Sequence, residues 1–95
     1  MRHNEILQNL RALKPAFKDL RIRRAALFGS HARETADPTS DVDLLVEFED
    51  DVDFFTFLER KEQLENKLKV SIDMIPFSAL NKTRHQKILE EAIDV

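Results

Sequence analysis

The sequence predicts an α/β sandwich in which strands alternate with amphipathic helices and most helices pack on one face of the sheet. Three observations carry this. Apolar residues recur at helical spacing before residue 21 and again after residue 53. Residues 42–48 carry an apolar face at every second position, and a second alternating apolar segment follows at residues 70–75. At 95 residues the chain builds one core, so residues 1–95 are read as a single domain without a second module.

Each element has its own signal. Ile6, Leu7, Leu10 and Leu13 form an apolar stripe with Asn4 as a candidate N-cap. Pro15 kinks or restarts this helix before Phe17 and Leu20. Arg24 to Phe28 reads as a strand, residues 30–35 as a short helical turn, and Ala36 to Ser40, containing Asp37-Pro38, as a loop. In the strand Val42 to Phe48, the side chains of Val42, Leu44, Val46 and Phe48 share one face, and Asp41, Asp43, Leu45 and Glu47 share the other. Core and carboxylates are thus separated by the pleat.

An acidic loop, Glu49-Asp50-Asp51-Val52-Asp53, precedes a long helix from Phe54 to Leu68, with Asp53 placed to cap it. Val70 to Ile75 is a third strand closed by Pro76, and its alternation sets Asp73 opposite Val70, Ile72 and Met74. Residues 78–92 are expected to form a last helix, capped by Ser78, with Leu80, Ile88, Leu89 and Ala92 as its apolar contacts.

Composition narrows the function classes. Charged residues make up 35% of the chain and hydrophobic residues 42%, with a formal net charge of −3, which fits a folded soluble domain. The acidic balance argues against direct nucleic-acid binding. Cysteine is absent, which excludes disulfides, zinc-thiolate sites and a thiol nucleophile. No apolar run reaches membrane-span length and the N-terminus is amphipathic from the start, so the expectation is a cytoplasmic protein without membrane attachment.

The only glycine, Gly29, follows the apolar segment Ala25-Ala26-Leu27-Phe28 and marks a turn where backbone passes close to something. Twelve residues later Asp41 and Asp43 open the next strand on one face. Like charges held side by side repel unless a cation or proton comes between them. Asp-x-Asp at a strand start is common, Gly-Ser is an ordinary turn, and a lone Asp73 would be a solvated residue. Together, converging carboxylates beside backbone N–H groups at a helix start are what metal-assisted phosphoryl chemistry requires.

Gly29-Ser30, ten residues, then Asp41-Val42-Asp43 resembles the G-S-x10-D-x-D signature of the polymerase β nucleotidyltransferase superfamily. The flanks Ala26-Leu27-Phe28 and Leu44-Leu45-Val46-Glu47-Phe48 narrow the resemblance to its minimal nucleotidyltransferase (MNT) group, and the match covers nearly the whole chain. The resemblance implies an α+β nucleotidyltransferase fold: a small mixed sheet with helices mainly on one face and the active site on the other. It further implies that Asp41, Asp43 and Asp73 are catalytic and hold two Mg²⁺ ions with bound nucleotide. Gly29 and Ser30 would hold the triphosphate of ATP, and Asp73 would accept the proton of the incoming hydroxyl.

Arg33, one helical turn past Ser30, is a further phosphate contact or else an exposed arginine. His31 is read as a surface residue. Many relatives carry glycine where this chain has Glu34, and a side chain there narrows the turn or adds negative charge near the phosphates. Phe54, Phe55 and Phe57 crowd one helix start, where one of them could be an interface residue. The basic residues Lys14, Lys18, Arg21, Arg23, Arg24, Lys82, Arg84 and Lys87 read as solvated faces, with an acidic partner as the alternative.

The MNT group is typically paired with a HEPN-domain protein, and the family implication is an antitoxin that transfers AMP from ATP to a tyrosine of the HEPN toxin. This chain contains no tyrosine, so the acceptor would come from the partner. Two other readings stand beside it: a binding antitoxin that masks the HEPN partner without catalysis, and a nucleotidyltransferase for a small molecule or RNA end. A homodimer is also compatible with so small a domain.

Overall fold

Proline at position 15 divides the N-terminal helical region into α1 (His3–Ala12) and α2 (Lys14–Asp19). Pro15 sits in the first turn of α2, where a missing N–H leaves no partner unsatisfied. Leu13 bridges the two helices: its amide donates to the Asn9 and Leu10 carbonyls, both at 3.1 Å, and its carbonyl accepts from Ala16 at 2.8 Å. Arg21 then adopts φ 57°, a left-handed turn that sends the chain into β1. The computed structural model describes residues 3–29, 41–81, 83 and 85–95.

Among the described residues the sheet has four strands in the order β3-β2-β1-β4. β1 (Ile22–Phe28) pairs antiparallel with β2 (Val42–Phe48), with an irregularity between Ile22 and Arg24. β2 runs parallel to β3 (Ile72–Pro76), and α3 (Phe54–Leu68) is the crossover that a parallel pair requires. Asp53 caps α3 by accepting from the Thr56 amide at 2.7 Å, as its position in the sequence predicts. Lys69, at φ 61°, ends the helix, and Glu65 in its last turn accepts the Ile72 amide at 2.7 Å, tying helix to strand.

α1, α2 and α3 cover one sheet face. Ile6 and Leu10 from α1, Phe17 from α2, and Leu64 and Leu68 from α3 pack on Leu27, Val42, Leu44, Val46 and Ile72. Val42, Leu44 and Val46, from the inward set of the alternation predicted for β2, are fully buried, as are Ile6, Leu10, Leu27 and Leu64. The opposite face carries a smaller cluster: Ala26, Phe28 and Leu45, with Ile75, Phe77, Leu80, Ile88 and Ala92 packed against them. Helices therefore lie mainly on one face, and the C-terminal segment lies on the other.

The expected helix over residues 78–92 is not what forms. Phe77–Ala79 is one 3-10 turn, α4 is confined to Gln86–Glu91, and Ile93–Asp94 is a short strand, β4, antiparallel to β1. Local polar chemistry interrupts the helix: the Asn81 side chain accepts the Thr83 amide and His85 Nδ1 accepts the Asn81 amide, both at 2.9 Å. Leu80, Ile88 and Ala92 still reach one cluster, so their apolar pattern was a true burial signal with the wrong backbone attached. No Ser78 cap forms, since the 3-10 turn has no side-chain cap bond. Among the described residues no helix is long and apolar enough to cross a membrane.

Candidate active site

Sheet register assembles the carboxylates. Phe28 on β1 stands opposite Asp43 on β2, and Asp43 stands beside Asp73 on β3. Registered neighbours share a face, so Phe28, Asp43 and Asp73 form one row across the sheet. Strand spacing puts the backbones of Asp43 and Asp73 roughly 5 Å apart. The next row on the same face is Ala26, Leu45 and Ile75, wholly apolar. The acidic row thus lies beside a hydrophobic one.

Gly29 follows Phe28 directly and has φ +72°, a conformation that side chains rarely tolerate. A Cβ added there would overlap Oδ2 of Asp43 and lie 3.0 Å from its carboxyl carbon. The single glycine is required twice, once by its backbone angle and once by the Asp43 carboxylate against it. Asp43 is half-buried, while Asp41 and Asp73 are exposed. Asp41 lies two residues upstream of Asp43, and the Val42 amide donates to the Ser71 carbonyl at 2.9 Å, which holds the β2 entrance against β3.

Of the residues expected to bind nucleotide, Gly29 sits at this row; Ser30 and Arg33 lie outside the described residues, as do His31 and Glu34. Asp41, Asp43 and Asp73 are hard oxygen donors of the kind Mg²⁺ selects, and mutual repulsion between neighbouring carboxylates favours a cation. Among the described residues no group of three or more His, Asp or Glu side chains is closed tightly enough to hold a metal ion by itself. Mg²⁺ usually completes its shell with water and substrate phosphates, so a protein cage is not what its chemistry demands.

A concavity of about 790 Å³ opens at the far ends of β2 and β3, between Val46, Phe48, Phe57, Pro76 and Phe77. It lies away from the Asp43–Asp73 row. Arg60 crosses its edge, donating to both carboxylate oxygens of Asp50 at 2.8 and 3.0 Å, with its guanidinium 5.0 Å from the Phe48 ring centre. Hydrogen bonding from Arg60 holds the Asp50 carboxyl below its ordinary value, and the Thr56 amide does the same for Asp53.

Sequence reasoning missed the apolar lining of the acidic face and the arginine contacts beside it. Arg24 lies 4.4 Å from the Phe77 ring centre and reaches Asp94 at 3.3 Å, while Arg23 pairs with Glu47 at 3.0 Å. Part of the basic stretch expected to be merely solvated is therefore engaged within the chain. The readable signal was Leu45, an apolar residue on the carboxylate face, which is fully buried.

The nucleotidyltransferase domain family model matches residues 10–95. The protein adenylyltransferase MntA of Thermococcus cleftensis is 35% identical over 74 residues, covering 78% of this chain and 75% of that protein. A solved structure assigned to the minimal nucleotidyltransferases superposes with a TM-score of 0.81 at 29% identity, covering 100% of this chain and 97% of that one. A chain from the complex of a tri-AMPylated HEPN toxin with MNT antitoxin, from Shewanella oneidensis, superposes with a TM-score of 0.56 over 97% of this chain and 66% of that one. At 21% identity that last likeness concerns the fold.

Proposed function

The chain belongs to the nucleotidyltransferase domain family, and from that premise we propose that it transfers AMP from ATP to a tyrosine hydroxyl of a HEPN-domain partner and so acts as an antitoxin. The observation that carries this reading is the row in which Gly29 abuts Asp43 and Asp43 stands beside Asp73. The naming of a 35% identical relative as a protein adenylyltransferase supports AMP as the transferred group. The AMPylated HEPN toxin in the structural neighbour supports the class of acceptor.

Gly29 lets the backbone approach the triphosphate, and the Ser30 hydroxyl and amide bind its β- or γ-phosphate oxygens. Arg33 adds a guanidinium to the same phosphates. Asp41, Asp43 and Asp73 would hold Mg²⁺, which would supply charge neutralisation at the phosphates and a lowered pKa for the incoming hydroxyl. Asp73 accepts the tyrosine proton; the phenolic oxygen then attacks the α-phosphorus, the bond to the bridging oxygen breaks, and pyrophosphate leaves. β3 is an edge strand and Asp73 is exposed, so a second protein can bring its hydroxyl there.

The experiment incubates the chain with Mg²⁺, a HEPN protein encoded beside it, and ATP labelled at either the α- or the γ-phosphate. Label from the α-position alone on the HEPN protein is the expected result. Full neutralisation of the toxin with no label on it would replace this reading by stoichiometric masking.

A further inference from the structure

Three large apolar side chains at the start of α3 face solvent: Phe54 is 69% exposed, Phe55 80% and Leu58 41%. They are the only large hydrophobics so exposed among the described residues. Phe54 and Phe55 pack edge-to-face on each other with ring centres 6.2 Å apart, whereas Phe57 turns inward onto Phe48 at 6.0 Å. Phe54 also lines the 790 Å³ cleft, so the exposed patch continues into a concave apolar floor. Side chains left in water at a helix start, next to an apolar cleft, have the form of an interaction surface.

Acidic side chains dominate this patch: Glu47, Asp50, Asp51 and Asp53 line the cleft, and the cations beside it, Arg23 and Arg24, are held by Glu47 and Asp94. Arg60 is taken up by Asp50 and Lys61 by Glu65, at 3.5 Å in the second case, so the nearest cations of α3 are paired within the chain. Glu49, Asp51 and Glu62 are exposed and enter no ion pair among the described residues. Phe55, Leu58 and Glu62 follow helical spacing along one exposed stripe. The border is therefore acidic on balance, with Asp51 and Glu62 outside any ion pair among the described residues.

We propose that the start of α3 and the adjoining cleft dock an amphipathic helix of a partner protein whose apolar anchors are flanked by lysine and arginine. A second copy of this chain fits less well. Among the described residues its own large exposed apolar side chains are these same three, so a two-fold contact through them would set the acidic border against itself. The surface is at the opposite end of β2 from Asp43, and docking there is separable from nucleotide transfer.

The test measures fluorescence anisotropy of a labelled helical Leu-Lys peptide, and of a Leu-Glu peptide with the same apolar face, titrated with the full chain. The Leu-Lys peptide is expected to bind saturably and the Leu-Glu peptide not. Phe54→Ser combined with Phe55→Ser leaves charge unchanged and should weaken binding by roughly tenfold or more. Glu49→Lys with Asp51→Lys should weaken it and reduce its salt dependence, and Asp43→Asn should bind as the parent does. Phe55→Ser alone, at the most exposed of the three positions, serves if the double variant melts early. Equal binding of both peptides, or undiminished binding by the serine variants, overturns the proposal. So does a dimer in sedimentation that the serine variants dissolve, because the occupant would then be a second copy.

Discussion

Gly29 and Asp43 are in contact across the β1–β2 pair: a side chain on Gly29 would occupy the space of the Asp43 carboxylate. One residue earlier, Phe28 is the registered partner of Asp43. The turn that leaves β1 is therefore shaped against the carboxylate that opens β2. Gly29→Ala should both strain the backbone, by roughly 1–2 kcal/mol for a left-handed non-glycine residue, and push the Asp43 side chain out of its row. Chemical denaturation together with AMP transfer checks this, and both should fall. A variant as stable and active as the parent would mean that the close approach matters to neither.

Asp73→Asn is expected to slow AMP transfer by about 10²–10⁴-fold, the usual scale of a positioned general base. The residue is exposed on an edge strand, so the melting temperature should stay that of the parent. Single-turnover transfer and thermal melting on one preparation separate these effects. A rise in KM for ATP with unchanged kcat would instead make Asp73 a binding residue.

Leu45→Ala should cost about 2–5 kcal/mol, since it empties a fully buried position in the apolar row beside the carboxylates. Urea unfolding reads this loss. Leu45 anchors Ile75, Phe77, Leu80 and Ile88 on that face, so the C-terminal segment should also exchange its amides faster.

The site's face was legible in the sequence before its neighbours were. Period-two alternation alone puts Asp41, Asp43 and Glu47 on one side of β2, and the bounds of β2 and α3 follow from that alternation and from the Asp53 cap. Which strand lies beside which is a matter of register, set by contacts far apart in the chain, so neither the Asp43–Asp73 pairing nor the Gly29–Asp43 contact could be read from spacing. β3 starts at Ile72 rather than Val70 because Lys69 must first turn through the left-handed region. β4 has only two residues, too few to show any period, and its place is fixed by pairing with Ala26 and Leu27. The C-terminal helix breaks because the turn-forming chemistry of Asn81 outweighs the apolar spacing on either side of it.

Acid should destabilise the fold in a defined window. The carboxyls of Asp50 and Asp53 have folded-state values below the ordinary 3.8, through Arg60 and the Thr56 amide respectively. Their contribution is fully present above that ordinary value and is lost as pH falls through the lower folded-state values. Urea midpoints measured from neutral to acid pH should therefore drop below about pH 4. Asp50→Asn and Asp53→Asn should each flatten that drop, and an unchanged profile would show that these two carboxylates do not carry it.

The most direct test of the central claim is AMP transfer by Asp43→Asn to a HEPN partner, with α-labelled ATP and Mg²⁺, on protein shown by circular dichroism to be folded. The predicted result is loss of label by at least about 10²-fold, with the fold intact. Label transferred at the parental rate would contradict the assignment of the Asp43–Asp73 row, with Gly29 against it, as the site of nucleotidyl transfer.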